Sequence, residues 1–194
     1  MNTTSQPKTV TSFPLLSNQP WIRPTPQAPS QDDIASLTER AQQGDSYSQR
    51  ELGNLYGCGE WVPLDLDLAE YWHIKSAETD CMNGDFDSLE GMADMFERGL
   101  RVKQSYEQAA YWYSRAIESE YTVVAHSALG NLYAKGLGVP QDYEKAAELY
   151  RQGAEDDSEC YYGLGILYAK GKGVPQDDKL AAEWLCKWAE TWTH

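Results

Sequence analysis

No stretch of this 194-residue chain approaches the roughly 18 consecutive apolar residues of a bilayer-spanning helix, so no membrane segment is expected. The amino terminus lacks a basic patch followed by an apolar run, which argues against a secretory signal and for the cytosol. Cysteine is sparse and irregular, at 58, 81, 160 and 186, with no Cys-x-x-Cys pair, so disulfides are not expected and a reducing compartment fits. Histidine is scarcer still. His73, His126 and His194 include no two at the four-residue spacing of a helical metal site. The loop glycines 136, 138, 171 and 173 lack the lysine of a phosphate-binding loop, and 83–87 lacks the alternating carboxylates of a calcium loop. No catalytic residue, metal or cofactor is expected, and the chain reads as a non-enzyme.

Acidic residues are missing from residues 1–31, where the only charges are Lys8 and Arg23. All 30 Asp and Glu therefore fall in 32–194 beside 14 of the 16 basic residues, a net charge of −16 for that part. A body of that sign repels nucleic acid and anionic membrane. It either serves solubility alone or draws in a protein with a basic surface. Residues 1–32 carry prolines at 7, 14, 20, 24, 26 and 29, which prevents a regular helix and predicts an extended arm. Phe13, Leu15, Leu16, Trp21 and Ile22 give this arm apolar anchors. It either lies along its own body, the preferred reading, or recognises another protein.

What the chain does have is repetition. LGNLYAKGLGVPQDYEKAA at 129–147 returns 35 residues later as LGILYAKGKGVPQDDKLAA at 164–182. Weaker copies occupy 52–70 and 92–110, and the anchoring aromatics Tyr56, Phe96, Tyr133 and Tyr168 lie 40, 37 and 35 apart. A period of that length marks a stack of helix pairs, hence an all-α superhelical solenoid. Each unit reads as a first helix, a glycine loop and a second helix. Gly136 suits a left-handed helix end, and Pro140 blocks continuation. Asp65, Ser105, Asp142 and Asp177 stand where an N-cap is needed. Ser48, Ser88, Ala125 and Cys160 share a small slot that lets helices approach. Trp72, Trp112, Leu149 and Trp184 share a second-helix slot and are expected in the core.

The pattern L-G-x-L-Y-x-x-G-x-G-V-x-x-D-x-x-x-A resembles the Sel-one-like repeat (SLR), a relative of tetratricopeptide solenoids. Units three and four match best. Unit two has Arg101 and Lys103 for the loop glycine and proline, and Ser105 for the aspartate. The expected organisation is a Pro-rich arm at 1–32 and a solenoid at 33–194, with units at about 46–80, 85–120, 123–157 and 158–192. The segment 33–45 precedes them as a lone second helix that caps the stack. The resemblance implies adaptor and scaffold roles, or an immunity protein that neutralises a toxin or effector, with neutralisation preferred. Disulfide-rich secreted relatives are associated with β-lactamase-like activity, a remote alternative that the missing cysteine pairs argue against.

In such a stack the first helices are expected to line a groove for a partner protein. The expected contact residues are Tyr47, Glu51, Asn54, Asp87, Asp94, Glu97 and Asn131, a surface acidic and amide-rich towards unit two. The bland reading of the same residues is a solvated face. Trp188 and Trp192 follow Trp184 at four-residue spacing. They either pack on unit three or leave an apolar patch for a partner or a homodimer.

Overall fold

The computed structural model describes residues 28–83, 87–119, 122 and 124–191. Among them are nine helices and no strand: α1 Gln31–Gln42, α2 Ser46–Cys58, α3 Leu66–Met82, α4 Asp87–Arg98, α5 Tyr106–Glu118, α6 Ala125–Lys135, α7 Tyr143–Gly153, α8 Ser158–Lys170 and α9 Asp178–Glu190. The arm at residues 1–27, with its apolar anchors, lies outside the described residues, as does Trp192. Each helix packs chiefly on its neighbours in sequence, and α6 also touches α8. That is the contact pattern of stacked hairpins, each closed by the next.

Local chemistry explains where the helices stop and start. α2, α6 and α8 end on glycines in the left-handed region, with φ 67° at Gly59, 67° at Gly136 and 60° at Gly171. Side chains of Asp65, Ser105, Asp142 and Asp177 accept hydrogen bonds from the first backbone N–H groups of α3, α5, α7 and α9. α1 begins at Gln31, two residues ahead of the expected start, because Ser30 and Asp33 close a reciprocal capping box. Thr122 Oγ1 accepts from the Ala125 N–H at 3.0 Å, but Val124, at the N-cap of α6, has no side chain that can cap it. The Glu90 carboxylate of α4 also accepts from the backbone N–H of Val124 and Ala125, at 3.0 and 3.1 Å, which ties unit two to unit three.

The largest core cluster runs from Ala77 of α3 to Leu149 of α7 through Leu89, Phe96, Trp112 and Leu129. Trp72 and Leu149 are buried as the repeat slot requires, and Trp112 is almost wholly so. Trp184 is half-buried and stacks on Tyr161 at 5.7 Å, because among the described helices α9 packs chiefly against α8. Cys160 is fully buried, and burial, with Asp157 and Glu159 nearby, pushes its thiol up to about 12. Such a thiol stays protonated and unreactive, so this cysteine is a packing residue.

Unit two departs from its neighbours at the loop. Arg101 holds φ 63° where units three and four have Gly138 and Gly173. Its side chain is received by Gly57 of unit one, where an added Cβ would stand 2.6 Å from the Arg101 Cβ. The missing glycine of one unit is thus matched by a glycine in the preceding first helix.

Candidate functional site

The structure brings three of the expected contact residues together and separates the rest. Tyr47, Glu51 and Asn54 rise from successive turns of α2. Asn54 Nδ2 donates to Glu51 Oε1 at 3.4 Å. Tyr47 is 56% exposed and carries the Arg50 guanidinium 5.6 Å from its ring centre, a cation–π contact. Tyr47 and Glu51 border a cleft of about 390 Å³ between α1 and α2, walled by Ile34, Leu37, Leu55 and Trp61. A smaller hollow of about 120 Å³ adjoins it, shares Glu51, Leu55 and Trp61, and takes in Asn54. An apolar floor with Glu51, Asp33 and Arg40 on its lining and the Asn54 amide in the adjoining hollow suits a polypeptide with an apolar anchor and charged neighbours.

The other expected residues fare differently. Asp94 is half-exposed and pairs with Arg98 one turn away at 3.4 Å. A pair so exposed to water is weak and leaves the carboxylate open to a competitor. Glu97 accepts from the Tyr113 hydroxyl at 2.8 Å, and Asn131 accepts from the Tyr150 hydroxyl at 2.8 Å. Both join the first helix of a unit to the second, so the expected acidic and amide-rich face is partly taken up by structural hydrogen bonds. Desolvation holds the Tyr113 and Tyr150 hydroxyls well above the ordinary tyrosine range, which keeps both as proton donors. Asp87 opens α4, and its side chain lies outside the described part. Trp188 packs on α8 of its own unit. Its ring lies 5.1 Å from that of Tyr162, and its Nε1 donates to Glu159 at 3.3 Å.

Two features escaped the sequence reading. Trp61, 41% exposed, stands in the loop slot that is Arg101, Gly138 or Gly173 elsewhere, and a bulky residue in a glycine slot was the available signal. The second is a cavity of about 260 Å³ between α2 and α4, with α3 as its floor. His73 lies on that floor, 4% exposed, and its Nε2 has no hydrogen-bond partner among the described residues. The register places His73 where units two and three have Tyr113 and Tyr150, a comparison open to the sequence but not drawn from it.

Burial, reinforced by Arg101 and Arg50, lowers the His73 pKa from 6.5 to about 4. Asp80 also lines the cavity without offsetting that shift. A base whose folded pKa is depressed stabilises the fold above its unfolded value. That stability is lost as the pH falls from 6.5 towards 4, where the unfolded chain binds the proton and the folded one does not. We expect His73→Phe to be less acid-sensitive than the parent across that window by about 2 kcal/mol in urea titrations. Parallel pH profiles would show that His73 is not the buried neutral base described.

Among the described residues, no group of three His, Cys, Asp or Glu side chains could hold a metal ion. No described helix is long and apolar enough to cross a membrane.

Comparison with known proteins agrees with the geometry. A family model described as the Sel1 repeat matches residues 46–79, 87–121, 123–158 and 158–190. Among solved structures, the chain is similar to a protective antigen of uropathogenic Escherichia coli strains that displays an SLR fold. The two are 30% identical, with a TM-score of 0.61, over 81% of this chain and 33% of that one. It is also similar to a Sel1 repeat protein from Oxalobacter formigenes, 30% identical with a TM-score of 0.54, over 82% of this chain and 46% of that one. The chain thus spans about a third and under half of these two relatives. No curated protein matches it.

Proposed function

This chain belongs to the Sel1 repeat family, whose members are solenoid scaffolds that bind other proteins, and from that premise we propose that it is a cytoplasmic neutralising protein. It holds a toxin or effector with a basic surface and blocks it by coverage, without chemistry of its own. The observation that carries this reading is the conjunction of a body of net charge −16 with the cleft of Tyr47, Glu51, Leu55 and Trp61. The field attracts a basic protein and speeds encounter. The cleft then supplies the apolar anchorage that a surface charge alone does not.

The test is co-expression with toxic neighbouring open reading frames, followed by affinity measurement on whichever product is silenced. The parent chain is expected to restore growth and to bind more weakly as salt rises. Glu51→Lys and Asp94→Lys should each weaken binding about tenfold at low salt with little change in melting temperature. Asn131→Ala is a poor probe of the surface, because it also removes the acceptor of Tyr150. Affinity unchanged by both charge reversals would remove the acidic face from the interface. A partner bound without loss of its toxicity would point to an adaptor instead.

A further inference from the structure

The cavity between α2 and α4 is a gap in an otherwise repeated packing motif. In unit three the Tyr150 ring fills the space between first helices α6 and α8. Its atoms lie 2.5 Å from where a Cβ on Gly130 would stand and 2.6 Å from where one on Gly163 would stand. The corresponding residues two gaps earlier in the stack are His73, Gly53 and Gly91. His73 still presses its ring against Gly53, at 2.8 Å from the Cβ position. It is too short to reach the far wall, and a Cβ on Gly91 would meet nothing within 4 Å. The result is an open socket of about 260 Å³ beside Gly91, larger than the roughly 150 Å³ that accommodates benzene in an apolar protein cavity.

The lining matches a ring with a polar tip. Met92 is buried and Met95 half-buried, and both present thioethers, which favour aromatic contacts. Arg50 stands at the edge, where its guanidinium can face a π surface. His73 Nε2 and Ser88 Oγ are buried without hydrogen-bond partners among the described residues, and both residues line the socket. Buried polar atoms of this kind are costly until something pairs with them. A hydroxyl can donate to the neutral imidazole and accept from the serine.

We propose that the socket beside Gly91 receives a tyrosine side chain of the partner polypeptide, which occupies the place that Tyr150 takes in unit three. The inference rests on the protein-binding reading and specifies what one contact of that partner must be. A phenylalanine fills the same volume but leaves His73 Nε2 unpaired, so the socket discriminates in favour of the phenol.

The experiment needs no partner. N-acetyltyrosinamide and N-acetylphenylalaninamide are titrated into the full chain, and backbone amide shifts are followed by NMR. The tyrosine probe is expected to give saturable shifts centred on His73, Ser88, Gly91 and Met92, with affinity about tenfold above the phenylalanine probe. His73→Tyr supplies the ring internally and should abolish the shifts. Gly91→Leu blocks the same space from α4 and should abolish them too, at a helix position where leucine is favoured over glycine. Circular dichroism confirms that each variant folds. No saturable shift in the parent, equal binding of the two probes, or shifts that survive in both variants would overturn the proposal. Failure to find any protein partner would sink the wider reading and leave the probe result standing.

Discussion

Gly138→Ala is expected to cost about 3 kcal/mol in urea unfolding, although alanine is a small and otherwise favourable residue. Two causes add. Gly138 sits at φ 68°, in the left-handed region, where a residue with a Cβ is disfavoured by about 1–2 kcal/mol. The added Cβ would also stand 2.2 Å from the carbonyl carbon of Tyr106 and 2.4 Å from the amide nitrogen of Glu107. Those atoms open α5, so the clash is with backbone and cannot be relieved by a rotamer change. Either the loop of unit three lifts away from unit two or the start of α5 frays. Gly173 repeats the arrangement against Tyr143, with a Cβ position 2.2 Å from its carbonyl carbon, and serves as an internal replicate. A loss under about 1 kcal/mol at Gly138 would mean that only the φ term operates and that the loop gives way freely.

Phe96→Ala is expected to cost about 3–5 kcal/mol, the range for removing a buried aromatic ring from a packed core. Phe96 is wholly inaccessible and belongs to the cluster that runs from α3 to α7. Repeat stacks draw their stability from neighbour interfaces, so a cavity in the central cluster weakens coupling as well as unit two itself. Calorimetry should show a lower and broader transition than the parent. A sharp transition within about 1 kcal/mol of the parent would show that unit two contributes little to cooperativity.

The repeat register was legible because hairpin stacking constrains each unit separately. Glycine at a left-handed helix end, an Asp or Ser cap and a small residue facing the next helix are local requirements. The same slots at Gly136 and Gly171, and at Asp142 and Asp177, therefore carry the same chemistry in the structure. The candidate face was legible only in part. Exposure at Tyr47 follows from helical periodicity, and the Asp94 side chain is half-exposed. Glu97 and Asn131 were equally polar and equally well placed by spacing. Their engagement by Tyr113 and Tyr150 depends on how far a side chain reaches across to the paired helix. Trp188 shows the same limit. Its four-residue spacing from Trp184 identified the helix face, while the choice of Tyr162 and Glu159 as neighbours depended on how α9 lies along α8.

By itself, the order of residues determined the all-α class, the four-unit period, the helix ends and the uneven distribution of charge. These depend on interactions within about one hairpin, where a near-identical sequence must meet near-identical surroundings. Only the tertiary structure decided which polar side chains face solvent, that Glu90 caps the helix of another unit, and that a histidine in a tyrosine slot opens a socket beside Gly91. Those outcomes come from side chains meeting across separate helices, where a difference of one ring in reach decides whether a space is filled.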